Sequence, residues 1–228
     1  MTNFIELKNL SKKYDQNKNI NVLKNLNFKF KKGKIYSLTG PSGSGKSTLL
    51  NILSLVDKPT NGIIIIKNKT IDFKQTTSND IIRSNEIGII YQDKNLLTDF
   101  TALENVYLAR LNLIKNKAKA INDAKKLISK VGLSNRMNHY PSQLSGGECQ
   151  RIAICRALIN SPNIILADEP TGNLDYKNAK EIFKMFFKLK NKDRILIFAT
   201  HNRYFANMAD CKIELIDGKV KVVNARNK

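Results

Sequence analysis

The chain has 228 residues, which suits one large α/β domain, or a core with one inserted subdomain, and is too short for two complete domains of that kind. We expect a soluble chain whose membrane contact runs through partners, because no apolar run approaches the roughly 20 residues that span a bilayer and the start lacks the pattern of a secretion signal. The formal charge of +20 comes mostly from scattered lysines rather than from a patch, so we expect no specific nucleic-acid site.

Two alternating segments open the chain. Residues 4–10 (FIELKNL) alternate apolar and polar side chains like a half-buried strand, and residues 22–30 contain a second such pattern after a polar turn at residues 15–19. Together they are predicted to form an antiparallel β layer that leans on the core. Tyr14 comes just before the turn, and the local sequence leaves open whether it stacks on a base or packs at a strand end.

A glycine-rich loop follows the apolar run at residues 35–38. Residues 39–51 read TGPSGSGKSTLLN, which fits the pattern G-x-x-x-x-G-K-[ST] and continues into an amphipathic helix. Backbone N–H groups and a helix N-terminus in this setting hold phosphate oxygens, with Lys46 on the β and γ phosphates of a nucleoside triphosphate and the Ser47 hydroxyl on Mg²⁺. The residues predicted to bind the triphosphate are Gly40, Pro41, Ser42, Gly43, Ser44, Gly45, Lys46, Ser47 and Thr48.

The middle of the chain changes from strands to helices. Residues 59–62 predict a turn, residues 63–66 a short strand that returns to the β layer, and residues 87–91 a buried strand that ends at Gln92. From residue 93 to about 160 the pattern is helical, which favours an inserted subdomain and leaves about 1–92 and 161–228 for the core.

Two helix signals mark this helical part. Thr101 and Glu104 have the spacing of a capping box, and apolar residues recur at helical spacing from Ala120 to Val131, before a stop at Gly132. The lysines between those apolar residues are read as the solvated face of that helix.

A second capping pattern runs from Ser145 to Glu148 and begins another helix. Gly146 and Gly147 weaken its first turn by up to about 1 kcal/mol each relative to alanine. A phosphate that approaches bare N–H groups would explain them, and a flexible helix start is the alternative. Cys149 follows directly. The three cysteines form no C-x-x-C pair, which suggests neither a disulfide framework nor a zinc site, and Cys149 is read as an inert thiol rather than a redox group.

Two further apolar strands end in reactive side chains. Residues 164–167 form a continuous apolar run that ends in Asp168 and Glu169, and residues 195–199 form another that ends at Thr200 and His201. Because ligands gather beyond the carboxyl ends of parallel strands, we expect Asp168 in the Mg²⁺ shell and Glu169 as the general base. His201 is then placed to bond the γ-phosphate and orient the attacking water. A helix N-cap pair is the alternative for the two carboxylates.

Taken together, these motifs resemble the ATP-binding subunit of ABC transporters, in order and spacing, over nearly the whole chain. The matching segments are residues 40–48, Gln92, residues 144–148, residues 164–169, residues 172–175 (GNLD) and His201. The resemblance implies a single ATPase domain over residues 1–228, with ATP and Mg²⁺ as cofactors. Its implied α/β fold is a P-loop NTPase core of the RecA type, with an antiparallel β layer and an inserted α-helical subdomain.

The resemblance also implies how subunits pair. In the family, two subunits sandwich two ATP molecules head to tail, and the signature segment of one binds the γ-phosphate held by the other. The residues that would bind in trans are Ser145, Gly146, Gly147 and Glu148. Tyr14 then corresponds to the aromatic that stacks on adenine, Gln92 to the residue that senses Mg²⁺, and Asp175 to a contact with the opposite subunit. The implied location is the cytoplasmic side of the inner membrane, on transmembrane permease subunits.

Within the family, residues 41–51, 96–106 and 167–175 look like the branch of the lipoprotein-releasing, macrolide-exporter and cell-division ATPases. Residues 138–148 look most like the lipoprotein-releasing member, which implies ATP-driven release of lipoproteins from the inner membrane. The other two branch members are alternatives, and a soluble ABC ATPase acting on nucleic acid or the ribosome is a remote one. Cys149, Asn202 and Thr98 depart from the usual pattern, and Thr98 weakens the choice among branch members.

Overall fold

The computed structural model describes residues 3–14 and 20–225, and the predicted polar turn at residues 15–19 lies outside them. The strands are β1 (Asn3–Tyr14), β2 (Ile20–Lys31), β3 (Ile35–Thr39), β4 (Asn61–Ile66), β5 (Lys69–Thr70), β6 (Ile87–Ile90), β7 (Ile164–Asp168), β8 (Ile195–Ala199), β9 (Cys211–Ile216) and β10 (Lys219–Ala225). The helices are α1 (Lys46–Leu53), α2 (Thr76–Glu86), α3 (Ala102–Ile114), α4 (Lys117–Lys130), α5 (Gly146–Leu158), α6 (Tyr176–Lys188) and α7 (Arg203–Ala206). None of the helices in residues 3–14 and 20–225 has both the length and the apolar character needed to span a bilayer.

The predicted β layer is an antiparallel sheet in the order β2-β1-β4-β5. Strand β1 is its centre and pairs with both β2 and β4, so residues 63–66 return to the layer as predicted. The pairing of β1 with β2 shifts register between Leu7 and Leu10, where Asn9 has a φ of 51°. Leu7 and Leu10 are three positions apart, so strict alternation would place their side chains on opposite faces of the strand. The bulge instead turns both side chains into the core.

The second sheet has six strands in the order β10-β9-β3-β8-β7-β6. Strands β9, β3, β8, β7 and β6 run parallel, and β10 is antiparallel to β9. The continuous apolar runs in β7 and β8 are buried, because both faces of a parallel sheet are covered. The α/β prediction with an antiparallel layer is therefore confirmed.

Helix α1 shares one apolar cluster with strands of both sheets. Its apolar side chains Leu49, Leu50, Ile52 and Leu53 are all buried. A second cluster lies under α5, α6 and α7 on the other face of the parallel sheet, with Phe183, Phe186 and Phe198 in contact at its centre. Both ends of the phosphate loop are thus fixed by packed elements.

Helices α3, α4 and α5 share a third apolar cluster. Thr101 accepts from the Glu104 backbone N–H and Glu104 reaches back to Thr101, so the predicted capping box is present. Ala120, Ala124 and Ile128 of α4 are buried, as the periodicity predicts. The division into a core of about 1–92 and 161–228 and a helical subdomain of about 93–160 stays a prediction.

Gly88 of β6 is approached closely by α5, because a Cβ at this position would lie 2.4 Å from the Ala157 carbonyl oxygen and 2.9 Å from Cγ of Pro162. Neither atom belongs to a flexible side chain. We expect Gly88→Ala to lower the free energy of unfolding by about 1–3 kcal/mol in urea denaturation. Ile81→Ala is the control, since Ile81 is 58% exposed, and it should stay within about 0.5 kcal/mol. An unchanged midpoint for Gly88→Ala would contradict the close approach.

Candidate nucleotide-binding site

The sheet order brings the predicted reactive side chains to one edge. Strands β3, β8 and β7 are neighbours and parallel, so the phosphate loop, His201 and Glu169 all follow strands that end on the same side. A cavity of about 340 Å³ opens there. It is lined by Val22, Ser42, Gly43, Gly45, Lys46, Ser47, Thr48, Gln92, Asp168, Glu169 and His201.

The phosphate loop curls tightly between β3 and α1. Gly40 has a φ of 142°, and a Cβ there would lie 2.2 Å from the Leu215 carbonyl oxygen, so only glycine fits. Gly40, Pro41 and Ser44 are outside the cavity lining. The Ser44 hydroxyl is buried without a hydrogen-bond partner among the described residues. Such an orphaned polar atom beside a cradle of backbone N–H groups fits a loop built for a polar ligand.

Lys46 is buried at the start of α1. Its ammonium group donates to the carbonyl oxygens of Gly40 at 3.0 Å and Pro41 at 2.9 Å. Desolvation lowers the pKa of Lys46, and the nearby carboxylates of Glu169 and Asp168 oppose that shift. The lysine is therefore held inside the loop, as a cation near two anions.

Glu169 and His201 face each other across the end of the sheet. The Glu169 Oε1 lies 3.5 Å from His201 Nε2, beyond hydrogen-bond length for a well-formed bond, and that oxygen is buried without a hydrogen-bond partner among the described residues. Desolvation raises the pKa of Glu169, while the charge of His201 acts in the opposite direction. Glu169 also has a φ of 42°, a left-handed conformation that is unfavourable for a glutamate and typical of functional positions.

The oxygen atoms predicted to surround Mg²⁺ come to this same cavity. Ser47, Gln92 and Asp168, whose side chains carry a hydroxyl, an amide and a carboxylate, all line it. Such hard oxygen donors fit Mg²⁺, which usually keeps several waters and uses few protein ligands. In residues 3–14 and 20–225 no group of three or more His, Cys, Asp and Glu side chains is arranged to hold a metal ion.

Tyr14 ends β1 beside the phosphate-loop helix. Its side chain is 38% exposed and its hydroxyl donates to Asp57 Oδ2 at 2.9 Å. Burial and the Asp57 hydrogen bond raise the pKa of Tyr14, and a hydrogen bond with the Thr48 side chain acts in the opposite direction. Tyr14 does not itself line the cavity, but Thr48 does, so the ring stands at the cavity's border.

The signature residues lie elsewhere. Ser145 caps α5 through the Glu148 backbone N–H, and Glu148 reaches back to Ser145 and also accepts from Arg136 at 3.0 Å, so the second capping box is present. None of the residues 145–148 lines the cavity, and neither does Asp175, which caps α6. One chain thus does not bring the signature residues and Asp175 to the phosphate loop.

The two signature glycines have neighbours within the chain. A Cβ on Gly147 would lie 3.0 Å from Oδ1 of Asn178, and one on Gly146 would lie 3.4 Å from Leu174. The sequence analysis explained both glycines by a phosphate or by a flexible helix start, and not by a neighbour within the chain. At Gly147 the first turn of α6 therefore also leaves little room for a side chain.

Cys149, next to these glycines, is half-buried and free. Its Sγ lies 3.5 Å from the Pro141 carbonyl oxygen, and burial raises the pKa of the thiol, which keeps it protonated. This agrees with the interpretation of an inert thiol.

Sequence reasoning missed three contributors to the site. Val22 of β2 lines the cavity, and Lys12 and Asp57 surround Tyr14. Lys12 and Tyr14 are two residues apart on one strand and so share a face, which was an available signal, whereas nothing in the sequence places Asp57 beside them.

A further contact joins the loop after Gln92 to α5. Arg156 donates to the carbonyl oxygens of Lys94 at 2.7 Å and Asn95 at 2.5 Å. Both loop residues have positive φ values, 59° and 47°. The guanidinium therefore fixes a turn that the local sequence does not favour.

Comparisons with known proteins agree with this site. Residues 23–172 match the family model described as ABC transporter. The chain is 46% identical over 220 residues to the lipoprotein-releasing system ATP-binding protein LolD of Rickettsia bellii, covering 96% of this chain and 97% of that protein. The corresponding protein of Cytophaga hutchinsonii is 44% identical over 202 residues, covering 88% and 92%.

A solved structure shares the fold. The dimeric ATP-binding cassette MJ0796, in a post-hydrolysis state bound to ADP and Pi, superposes with a TM-score of 0.91 at 38% identity, covering 98% of this chain and 100% of that chain. The family model matches more than half of the chain, similar relatives cover nearly its full length, and the phosphate loop has a half-buried glutamate, Glu169, beside it. The chain belongs to the ABC transporter family, as an ATP-binding subunit with ATPase activity.

Proposed function

We propose that this chain powers a lipoprotein-releasing ABC system, and that ATP hydrolysis in its cavity drives removal of lipoproteins from the inner membrane toward the outer membrane. The observation that carries the proposal is the identity of 46% over 96% of the chain to a relative of that name. Similar relatives from two genera, Rickettsia and Cytophaga, carry the same name.

ATP is proposed to lie along the cavity with its triphosphate on the loop of residues 40–48 and its adenine on Tyr14. Lys46 balances the charge of the β and γ phosphates, and the N-terminus of α1 adds its dipole. Ser47, Gln92 and Asp168 would hold Mg²⁺, which supplies charge neutralisation to the phosphates when bound. This arrangement is supported by the lining of one cavity by all three residues.

Glu169 is proposed as the general base and His201 as its positioning partner. A buried carboxylate oxygen without a protein hydrogen bond is free to accept a proton from an attacking water. His201, 57% exposed and 3.5 Å from that oxygen, is placed to bond the γ-phosphate and keep water, base and phosphorus in line.

A second copy of the chain is proposed to complete the site. Its signature residues, Ser145 to Glu148, would meet the γ-phosphate bound by the first copy, and its Asp175 would contact the region of the first copy's phosphate loop. Support comes from the position of these residues outside the chain's own cavity, at two exposed helix N-termini, and from the dimeric form of the 38% identical cassette MJ0796.

Transmembrane permease subunits are proposed as the other partners, which places the chain on the cytoplasmic side of the inner membrane. A groove of about 320 Å³ between β6, α3 and α5 supports this, since Tyr91 and Asn95 on either side of Gln92 line it. The helical part, about residues 93–160, would act as the subdomain that moves against the core. No specific nucleic-acid partner is proposed.

The pH dependence of turnover follows from the raised pKa of Glu169, which desolvation causes. A base works only when deprotonated, so turnover falls as the pH drops through that raised pKa. We expect the acid limb of the kcat profile at saturating ATP to lie above the ordinary glutamate value of about 4.3. Thermal melts at each pH separate this loss from unfolding. An acid limb of the kcat profile at or below the ordinary glutamate pKa would contradict the assignment of Glu169 as the general base.

Lipoprotein release is tested with the chain purified together with its membrane partners and reconstituted in proteoliposomes that contain an acylated lipoprotein. ATP should transfer the lipoprotein to a soluble periplasmic carrier, and the same complex with Glu169→Gln should not. Identification of the co-purified partner's periplasmic domain gives an independent readout. Macrolide transport without lipoprotein release would instead identify an exporter and overturn the proposal.

A further inference from the structure

Lys12, Tyr14 and Asp57 form a compact cluster beside the nucleotide cavity. Lys12 Nζ lies 2.6 Å from Asp57 Oδ1, and the Tyr14 hydroxyl donates to Asp57 Oδ2 at 2.9 Å, so one carboxylate holds both side chains. The same ammonium group lies 4.7 Å from the centroid of the Tyr14 ring and donates to the Lys58 carbonyl oxygen at 2.8 Å. Lys12 is buried although it is a lysine, which is unusual without a partner.

The cluster fixes the tyrosine ring in two ways. The hydroxyl is anchored at the ring's edge by Asp57, and Lys12 covers one face as a cation over the aromatic ring. Only one face is then left for a flat partner. A ring with a fixed edge and one covered face loses little rotational freedom when a base stacks on it.

Asp57 also ties the ring to the phosphate-loop helix. Its backbone N–H donates to the Asn51 carbonyl oxygen of α1 at 3.1 Å. Burial acts to raise the pKa of Asp57, but hydrogen bonds from Lys12, Tyr14 and the Lys58 backbone outweigh it and lower the pKa, so the carboxylate stays charged. The base platform and the phosphate loop are therefore set by the same helix.

We propose that Asp57 and Lys12 are positioning residues for nucleotide binding, which hold the Tyr14 ring in the orientation that stacks on adenine. The proposal rests on the proposed function of Tyr14 as the adenine platform. It assigns a role to two residues outside the phosphate loop and the signature segment. The proposal predicts that removing either residue weakens contact with the base and leaves binding of the phosphates unchanged.

A purely structural role for the cluster makes a different prediction. Lys12 and Asp57 also join β1 to the segment after α1, and a loosened junction would disturb the phosphate loop as well. Loss of binding for every phosphate ligand would follow. A ligand that lacks the base therefore separates the two roles.

The test measures binding of Mg²⁺-ATP and of Mg²⁺-tripolyphosphate to the full chain by calorimetry. Asp57→Ala and Tyr14→Phe should each weaken ATP binding by about tenfold, because the ring is no longer held in place before adenine stacks on it and must be ordered on binding. Tripolyphosphate binding should stay unchanged. The variant that carries both changes should bind ATP no more weakly than the single variant with the lower affinity, because both changes remove the same contact. Asp80→Ala removes a carboxylate from an exposed ion pair and is the matched control.

Several outcomes overturn the proposal. Equal loss of ATP and tripolyphosphate binding would assign Asp57 to the phosphate loop, and additive losses in the double variant would separate Asp57 from Tyr14. Tyr14→Phe removes only a hydroxyl and should fold even if Asp57→Ala does not, so unchanged ATP binding by Tyr14→Phe alone would also overturn it. Tyr14→Ala distinguishes the role of the tyrosine ring as the adenine platform from the positioning role of Asp57 and Lys12. If ATP binding by that variant is unchanged, the platform role itself fails, whereas weaker binding there with an unaffected Asp57→Ala removes only the positioning role.

Discussion

Glu169→Gln in the assembled complex should bind ATP and fail to turn it over, with kcat lower by roughly 10²–10⁴-fold. The amide has the shape of the carboxylate, so the cavity and the Lys46 contacts stay intact, but it cannot accept a proton from water. The left-handed backbone at residue 169 should be retained, because glutamine has the same side-chain branching as glutamate. Steady-state phosphate release and equilibrium ATP binding measure the two effects separately.

Glu181→Gln is the matched control for this change. Glu181 lies on α6 with a side chain that is 59% exposed, and its distance to Arg151 is 3.8 Å. The same loss of one carboxylate there should leave kcat within about twofold of the unmodified complex, since an exposed ion pair contributes little. Turnover by Glu169→Gln at the rate of this control would remove Glu169 as the base.

Gly146→Asp should abolish hydrolysis by the assembled complex and leave ATP binding by the isolated chain unchanged. Position 146 begins α5, where a carboxylate stabilises the helix dipole, and a Cβ there meets only Leu174 at 3.4 Å, so the chain should fold. In the sandwich, however, that carboxylate would stand where the γ-phosphate of the other copy arrives. The negative charges of the new carboxylate and the γ-phosphate would repel each other and keep the two copies from closing.

Gly146→Asn separates charge from bulk, because asparagine has the size of aspartate without its charge. We expect it to retain more activity than Gly146→Asp, by about tenfold or more, if repulsion of phosphate is the cause. Phosphate release is measured with complex, and ATP binding with the isolated chain. Weaker ATP binding by the isolated Gly146→Asp chain would place the signature segment in the chain's own cavity and contradict pairing in trans.

The buried strands and their terminal side chains could be predicted because their patterns are local. The runs at residues 164–167 and 195–199 have no polar residue, so each must be covered on both faces, and the side chains that follow must leave the sheet at its carboxyl edge. That rule brings Glu169 and His201 to the carboxyl edge of the sheet, and the strand order β3-β8-β7 then places them beside the phosphate loop. The two capping boxes, at Thr101 and Ser145, are equally local.

Other elements depend on contacts that no local pattern encodes. Helix α2 reads TTSNDIIRSNE, which is rich in residues of modest helix propensity and has only two apolar side chains, so it was not predicted. Strands β9 and β10 do alternate, with Cys211, Ile213 and Leu215 of β9 buried, but the place of β9 between β10 and β3 is a fact of topology. Asp57 lies beside Tyr14 only because β1 pairs with β4, the strand that follows α1 and Asp57 in the chain.

The contact of Arg156 with the turn at Lys94 and Asn95 has a mechanical consequence. Two charge-assisted hydrogen bonds, worth about 1.5–3 kcal/mol each, resist separation of that turn from α5. A shift of Gln92 that follows the state of the triphosphate would therefore drag α5 along instead of being absorbed by the turn. In the proposed sandwich the N-terminus of α5 meets the other copy's nucleotide, so each bound ATP would report its own hydrolysis to the opposite half through Arg156.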